Sequence, residues 1–179
     1  MDTYKLGFAV GFCTVIIVAL IARKIFHREP TIYDERQERI RGIAYKYAFA
    51  TMCVTAVAYI FLCGIGFEGI IESALAVFII IISGVLTYAC YCIVKGAYFG
   101  INNNKRKWII LDLVIVVINV VCAVGQFIDG EYIKNGVLHL AGTANLICAV
   151  AFGVVLIALV VKEAKDRREV GGEDEESES

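Results

Sequence analysis

TIYDERQERIRGIAYKYAFATMCVTAVAYIFLCG, residues 31–64, carries the reading that decides the fold. Its first part is dense in charge, with Asp34, Glu35, Arg36, Glu38, Arg39 and Arg41. From Ile43 to Gly64 only Lys46 is charged. A helix needs about 20 apolar residues to cross the hydrocarbon core of a bilayer, and this segment supplies them. The stretch therefore predicts a charged juxtamembrane helix over 31–42 that runs into a membrane span over 43–64.

Four further segments have the same character: Leu6–Ala22, Ile70–Val94, Trp108–Phe127 and Val137–Val161. The first is short but free of charge, and the third span is long enough to tilt. Fifteen of the seventeen Lys and Arg residues fall on one side of this five-span pattern. They occupy the segments 23–46, 95–107 and 162–168, and the other side keeps only Lys5 and Lys134, beside Glu68, Glu72, Asp129 and Glu131. Basic loops stay cytoplasmic, so an odd number of spans puts the N-terminus outside and the C-terminus in the cytoplasm. The expected fold is an all-α polytopic transmembrane helical bundle of five spans, with residues 1–165 as one domain. Aromatic residues mark its borders: Tyr45, Tyr47, Tyr91, Tyr98, Phe99 and Trp108 inside, Tyr4, Phe67, Phe127 and Tyr132 outside.

Composition agrees. Of 179 residues, 59% are hydrophobic, against about 45–50% in an average chain, and the mean hydropathy is +0.74. The near-neutral net charge of −1 says little about partners, because eight of the eighteen acids follow Val161. All seven Cys lie inside apolar runs without a Cys-x-x-Cys, which suits small packing residues better than a disulfide framework. The positive charges follow the first apolar run, so it reads as a retained helix and not a cleaved signal peptide. Residues 166–179 end in an acidic run with nothing apolar to bury and read as a disordered tail. Ile65–Gly69 and Val124–Gly130 echo one another as Gly-and-acid turns, the trace a duplicated helical hairpin would leave.

The segment 31–49 is the most distinctive. Thr31 can cap a helix with Asp34 at the third helical position, acids in the first turn suit the helix dipole, and Glu35–Arg39 has favourable i,i+4 spacing. Asp34, Glu35, Arg36, Gln37, Arg39 and Arg41 form a candidate surface for lipid headgroups or a cytoplasmic protein partner. The run Tyr33-Asp34-Glu35-Arg36-Gln37-Glu38, then Ile40-Arg41-Gly42, then Ala44-Tyr45-Lys46-Tyr47-Ala48-Phe49, resembles the signature of a group of uncharacterised small multi-pass membrane proteins of Firmicutes, especially Clostridia. Ile43 stands where that pattern often has Lys. The resemblance implies a bacterial plasma membrane and no particular chemistry.

Within the fourth span, Asp112, Asn119 and Gln126 recur every seven residues on one helix face. Polar side chains in lipid normally face the protein interior. Interhelical hydrogen bonds, with Asp112 reaching the inner interface near Lys105–Lys107, are the plain reading; an ion or proton path is the sharper one. In the fifth span His139 and Asn145 point apart, and His139 near Asp129 and Glu131 makes a poor zinc set. Glu72 is expected at the outer headgroups, with Ser83, Thr87 and Cys90 along its face. Gly7 and Gly11 allow close helix approach and a homo-oligomer. Walker, G-x-S-x-G, H-E-x-x-H and nucleic-acid motifs are absent from the sequence. No cofactor, resident metal or nucleic-acid partner is expected. The function expected is that of a non-enzymatic accessory or regulatory protein of the plasma membrane. The alternatives are a small transporter or immunity-type protein with a polar path on the fourth span, and an intramembrane enzyme in which Asp112, His139 and Glu72 would have to converge.

Overall fold

The computed structural model describes residues 31–102, 104–130 and 132–177. The expected first span, with Gly7 and Gly11, lies outside them. The described elements are α1 (Glu35–Leu62) with a π-helical turn at Cys63–Phe67, α2 (Ser73–Val94), α3 (Lys105–Ile128), β1 (Ile133–Lys134), β2 (Val137–Leu138) and α4 (Leu140–Ser177). Among the described residues, four helices are long and apolar enough to cross a membrane.

Three boundaries differ from expectation, the start of α1 and both ends of α4. The juxtamembrane helix runs into the second span as one uninterrupted helix, α1. Its N-cap is Asp34, not Thr31: Asp34 Oδ1 accepts from the Gln37 amide at 2.6 Å, and the Gln37 side-chain oxygen accepts from the Asp34 amide at 3.3 Å. This is a reciprocal capping box with Gln in the third helical position. The fifth span starts at Leu140, because Val137 and Leu138 belong to a β-hairpin. Asn135 and Gly136 both have positive φ (54° and 77°), as a two-residue turn of the mirror-image type requires. At the other end α4 stays helical to Ser177, where disorder was expected from Asp166. No helix breaker stands at the apolar-to-polar border, and the Lys162–Asp166 pair at i,i+4 spacing (2.6 Å) carries the helix across it.

α1 packs on α2, α2 on α4, and α4 on α3. Among the described helices these contacts make a row, with α1 and α3 at its ends. Large apolar side chains cover the outward faces, among them Phe49, Ile60, Val121 and Phe127. Water would reject that much contiguous apolar surface, whereas lipid accepts it.

The seam between α1 and α2 is made of small residues and hydroxyls. Ala44 and Ala48 are buried on α1 and Gly84 on α2. A Cβ on Gly84 would collide with the Met52 side chain and come within 3.2 Å of the Ala48 carbonyl oxygen. Beside this close approach, Thr55 and Ser83 hydroxyls lie 3.2 Å apart, and Thr87 donates to the Thr51 hydroxyl at 3.3 Å. Close backbones joined by side-chain hydrogen bonds are how helices associate without a hydrophobic driving force. The seams with α4 are aliphatic instead: Ala89, Ile93, Val155 and Leu159 form a buried core cluster, with Ile109 against it.

Candidate functional site

Charge sorting is visible in the fold. The start of α1, the end of α2, the start of α3 and the 162–166 stretch of α4 meet at one end of the row, which collects the described Lys and Arg residues except Lys134. The opposite end carries the π turn and the β-hairpin.

At the basic end the six residues of the candidate surface separate into two groups. Asp34 caps α1. Gln37 turns inward and its amide donates to the backbone oxygens of Gly96 (3.1 Å) and Phe99 (3.2 Å) in the loop between α2 and α3. Arg41 also turns inward: its guanidinium lies 3.8 Å from the Tyr33 ring centre and 5.9 Å from that of Tyr88. Tyr88 in turn packs on Tyr45 with centroids 4.6 Å apart, and Tyr47 on Tyr91 at 5.2 Å. Gln37, Arg41, Ala44, Ala48, Thr51 and Thr55 follow helical spacing along one stripe. Gln37, Arg41, Ala44 and Ala48 of the distinctive motif therefore form an internal clamp. Glu35, Arg36 and Arg39 remain outward and line a shallow hollow. Glu35 and Arg39 do not close the expected ion pair; both side chains are exposed.

A second cavity at this end, of about 200 Å³, lies inside the row. Ile93, Ile109 and Leu159 form its apolar side; Lys105, Lys162 and Glu163 stand at its polar side. The loop held by Gln37 supplies Tyr98, Phe99 and Gly100 to its wall. Burial pushes the Tyr98 phenol above its ordinary range, and the nearby Asp112 carboxylate adds to the shift.

The polar stripe of α3 does not form one site. Asp112 does not reach the basic interface. It is only 9% exposed, and its Oδ2 has no hydrogen-bond partner; Tyr98 of the α2–α3 loop lies near it. Asn119 donates to the Ile115 oxygen of its own helix at 2.8 Å. Gln126 donates to the Ala141 oxygen of α4 at 2.7 Å, while its Oε1 is buried without a partner.

At the hairpin end the structure joins two residues that the sequence placed apart. Glu72 precedes α2, yet its Oε2 accepts from the first amide of α4, Leu140 N, at 2.8 Å and lies 3.3 Å from His139 Nδ1. A carboxylate at a helix N-terminus is favoured by the dipole. Backbone bonds reinforce the link: Leu138 N donates to Ile70 O at 2.8 Å, and Glu72 N to Leu138 O at 3.0 Å. Glu72 is therefore half-buried in a contact between segments and not simply at the headgroups. Asp112 stays at the basic end, so the three residues an intramembrane enzyme would need do not meet.

Two signals for these features were present in the sequence. Asn135-Gly136 between Ile133-Lys134 and Val137-Leu138 is a strong hairpin signature, and Thr51 and Thr55 are four apart inside an apolar run, on one face. No family model, curated protein or solved structure matches the chain.

Proposed function

We propose that this chain is a non-enzymatic accessory or regulatory protein of a bacterial plasma membrane, which engages anionic headgroups of the inner leaflet through Arg36 and Arg39. The observation that carries the reading is the unbroken α1. At 1.5 Å per residue, the roughly 20 residues that fill the hydrocarbon core, counted back from Leu62, reach the neighbourhood of Ile43. That puts Arg39 in the headgroup layer and Arg36 just beyond it. Gln37 and Arg41 are occupied by the loop and the tyrosines, which leaves the outward arginines for the membrane. Each basic residue near an anionic surface contributes about 1 kcal/mol. The positive-inside bias makes the basic end cytoplasmic, with five spans and the N-terminus outside.

The test is lipid retention by the full chain in nanodiscs of phosphatidylglycerol and phosphatidylcholine. Arg36→Gln/Arg39→Gln should weaken the preference for phosphatidylglycerol by roughly ten- to thirtyfold. Unchanged preference refutes headgroup engagement, and capture of one cytoplasmic protein that depends on these arginines assigns the surface to a protein partner instead. Thiol labelling of cysteines introduced at 95–107 from the exterior medium would reverse the orientation.

Asp112 supports a second reading, a transporter or immunity-type protein, since an unpartnered carboxylate in a span is costly to keep. Asp112→Asn should then abolish the transport or resistance phenotype at unchanged expression; an indifferent variant disposes of it.

A further inference from the structure

The cavity at the basic end has a charge pattern of its own. About 200 Å³ is below the ~300–1,000 Å³ of sites for drug-sized ligands, which excludes a nucleotide and suits a headgroup. One side is aliphatic and continuous with the core through Ile93, Ile109 and Leu159. The other carries two ammonium groups, Lys105 and Lys162, and two carboxylates, Glu163 and Asp166. Lys162 and Asp166 already pair at 2.6 Å, while Lys105, on α3, has no ion-pair partner among the described residues. A lining of zero net charge with both signs disfavours a multiply charged anion and matches a ligand that is itself zwitterionic. The loop wall is held in place by the two Gln37 hydrogen bonds, so little ordering is needed on binding.

We infer that this cavity binds a phosphoethanolamine group, with its phosphate on Lys105, its primary ammonium toward the Glu163 and Asp166 carboxylates, and the attached apolar chain against Ile109 and Leu159. A primary ammonium has three donors for carboxylates; a choline headgroup has none, and a glycerol headgroup lacks the positive charge. The source is either phosphatidylethanolamine of the inner leaflet or a soluble phosphoethanolamine ester. The inference rests on the membrane reading above but uses different residues, so the two fail separately.

The experiment is native mass spectrometry of the full chain in mild detergent with phosphatidylethanolamine, phosphatidylcholine or phosphatidylglycerol. One phosphatidylethanolamine per chain should persist where the other two dissociate. Lys105→Gln and Glu163→Gln should each weaken retention about tenfold, and Ile109→Trp, which fills the aliphatic side, should remove it. Arg36→Gln/Arg39→Gln should leave it unchanged. Glycerophosphoethanolamine that displaces the lipid at comparable concentration supports the soluble source, and failure to displace supports the lipid. Equal retention of the three lipids overturns the inference. So does full retention by Lys105→Gln, an exposed substitution that leaves the fold intact even if Ile109→Trp does not fold.

Discussion

The two helical hairpins, α1–α2 and α3–α4, share an up-down topology but are held together by different chemistry. In the first, Gly84 lets the backbones approach and Thr51, Thr55, Ser83 and Thr87 bind across the seam. In the second, branched aliphatic residues leave an apolar hollow of about 550 Å³ near the β-hairpin, lined by Val120, Val124, Phe127, Leu146 and Ala149 among others; buried polar atoms without partners occur in both, Tyr88 in the first and Asp112 and Gln126 in the second. The turns differ as well. Gly69 and Gly130 both take positive φ, as the sequence echo suggests, but Gly66 does so (100°) while Gly125 lies within a helix. The first hairpin is the specified half, and the second has room to change.

That contrast breaks first at glycine. Gly84→Ala should destabilise the protein by about 1–3 kcal/mol through overpacking, whereas Gly153→Ala in α4, where nothing lies within 4 Å of an added Cβ, should be neutral or stabilise by up to ~1 kcal/mol. Thermal unfolding of the two variants in detergent measures the difference; equal shifts would erase the distinction between the seams. Next, Asp112→Leu should stabilise by about 1–3 kcal/mol, because it removes a buried group that has an unmet hydrogen bond. A loss of stability would show a partner for Asp112. Smaller again, Thr55→Val with Ser83→Ala should cost about 0.6–1.7 kcal/mol, the range for hydrogen bonds between membrane helices, while Asn119→Leu, which breaks only a bond within α3, should cost less. A double-mutant cycle on Thr55 and Ser83 reads the coupling. The smallest effect is at Tyr98. Its folded pKa lies above the ordinary value near 10, so below pH 10 it adds no pH dependence. Above that, the unfolded chain loses the proton first and stability falls with rising pH. Tyr98→Phe should flatten this alkaline slope, followed by phenolate absorbance and unfolding in parallel.

Residues 31–64 made much of this architecture legible. Hydropathy located the four described apolar helices to within a few residues at most ends, because their outward positions are apolar as well as their packed ones. Local chemistry was harder where two readings competed. Thr31 and Asp34 are both good caps, and only the Gln37 amide decides for Asp34. Asn135-Gly136 was hidden by treating Val137 as the start of an apolar run. Contacts between distant segments left no mark in one sequence: nothing in Gln37 points to Gly96 and Phe99, and nothing in Glu72 points to Leu140. The same blindness made Arg41 look like a surface cation, since stacking on Tyr33 depends on where α2 puts Tyr88.

The absence of a break at Gly42 has a mechanical consequence. With 28 residues in α1 and a rise of 1.5 Å each, the rod is about 40 Å long. A swing of ~5° at its charged end would displace the π turn by roughly 4 Å, since no hinge lies between to absorb it. A displacement of Arg36 and Arg39 is thereby passed to the opposite end of the helix, at the very loop that leads into Glu72.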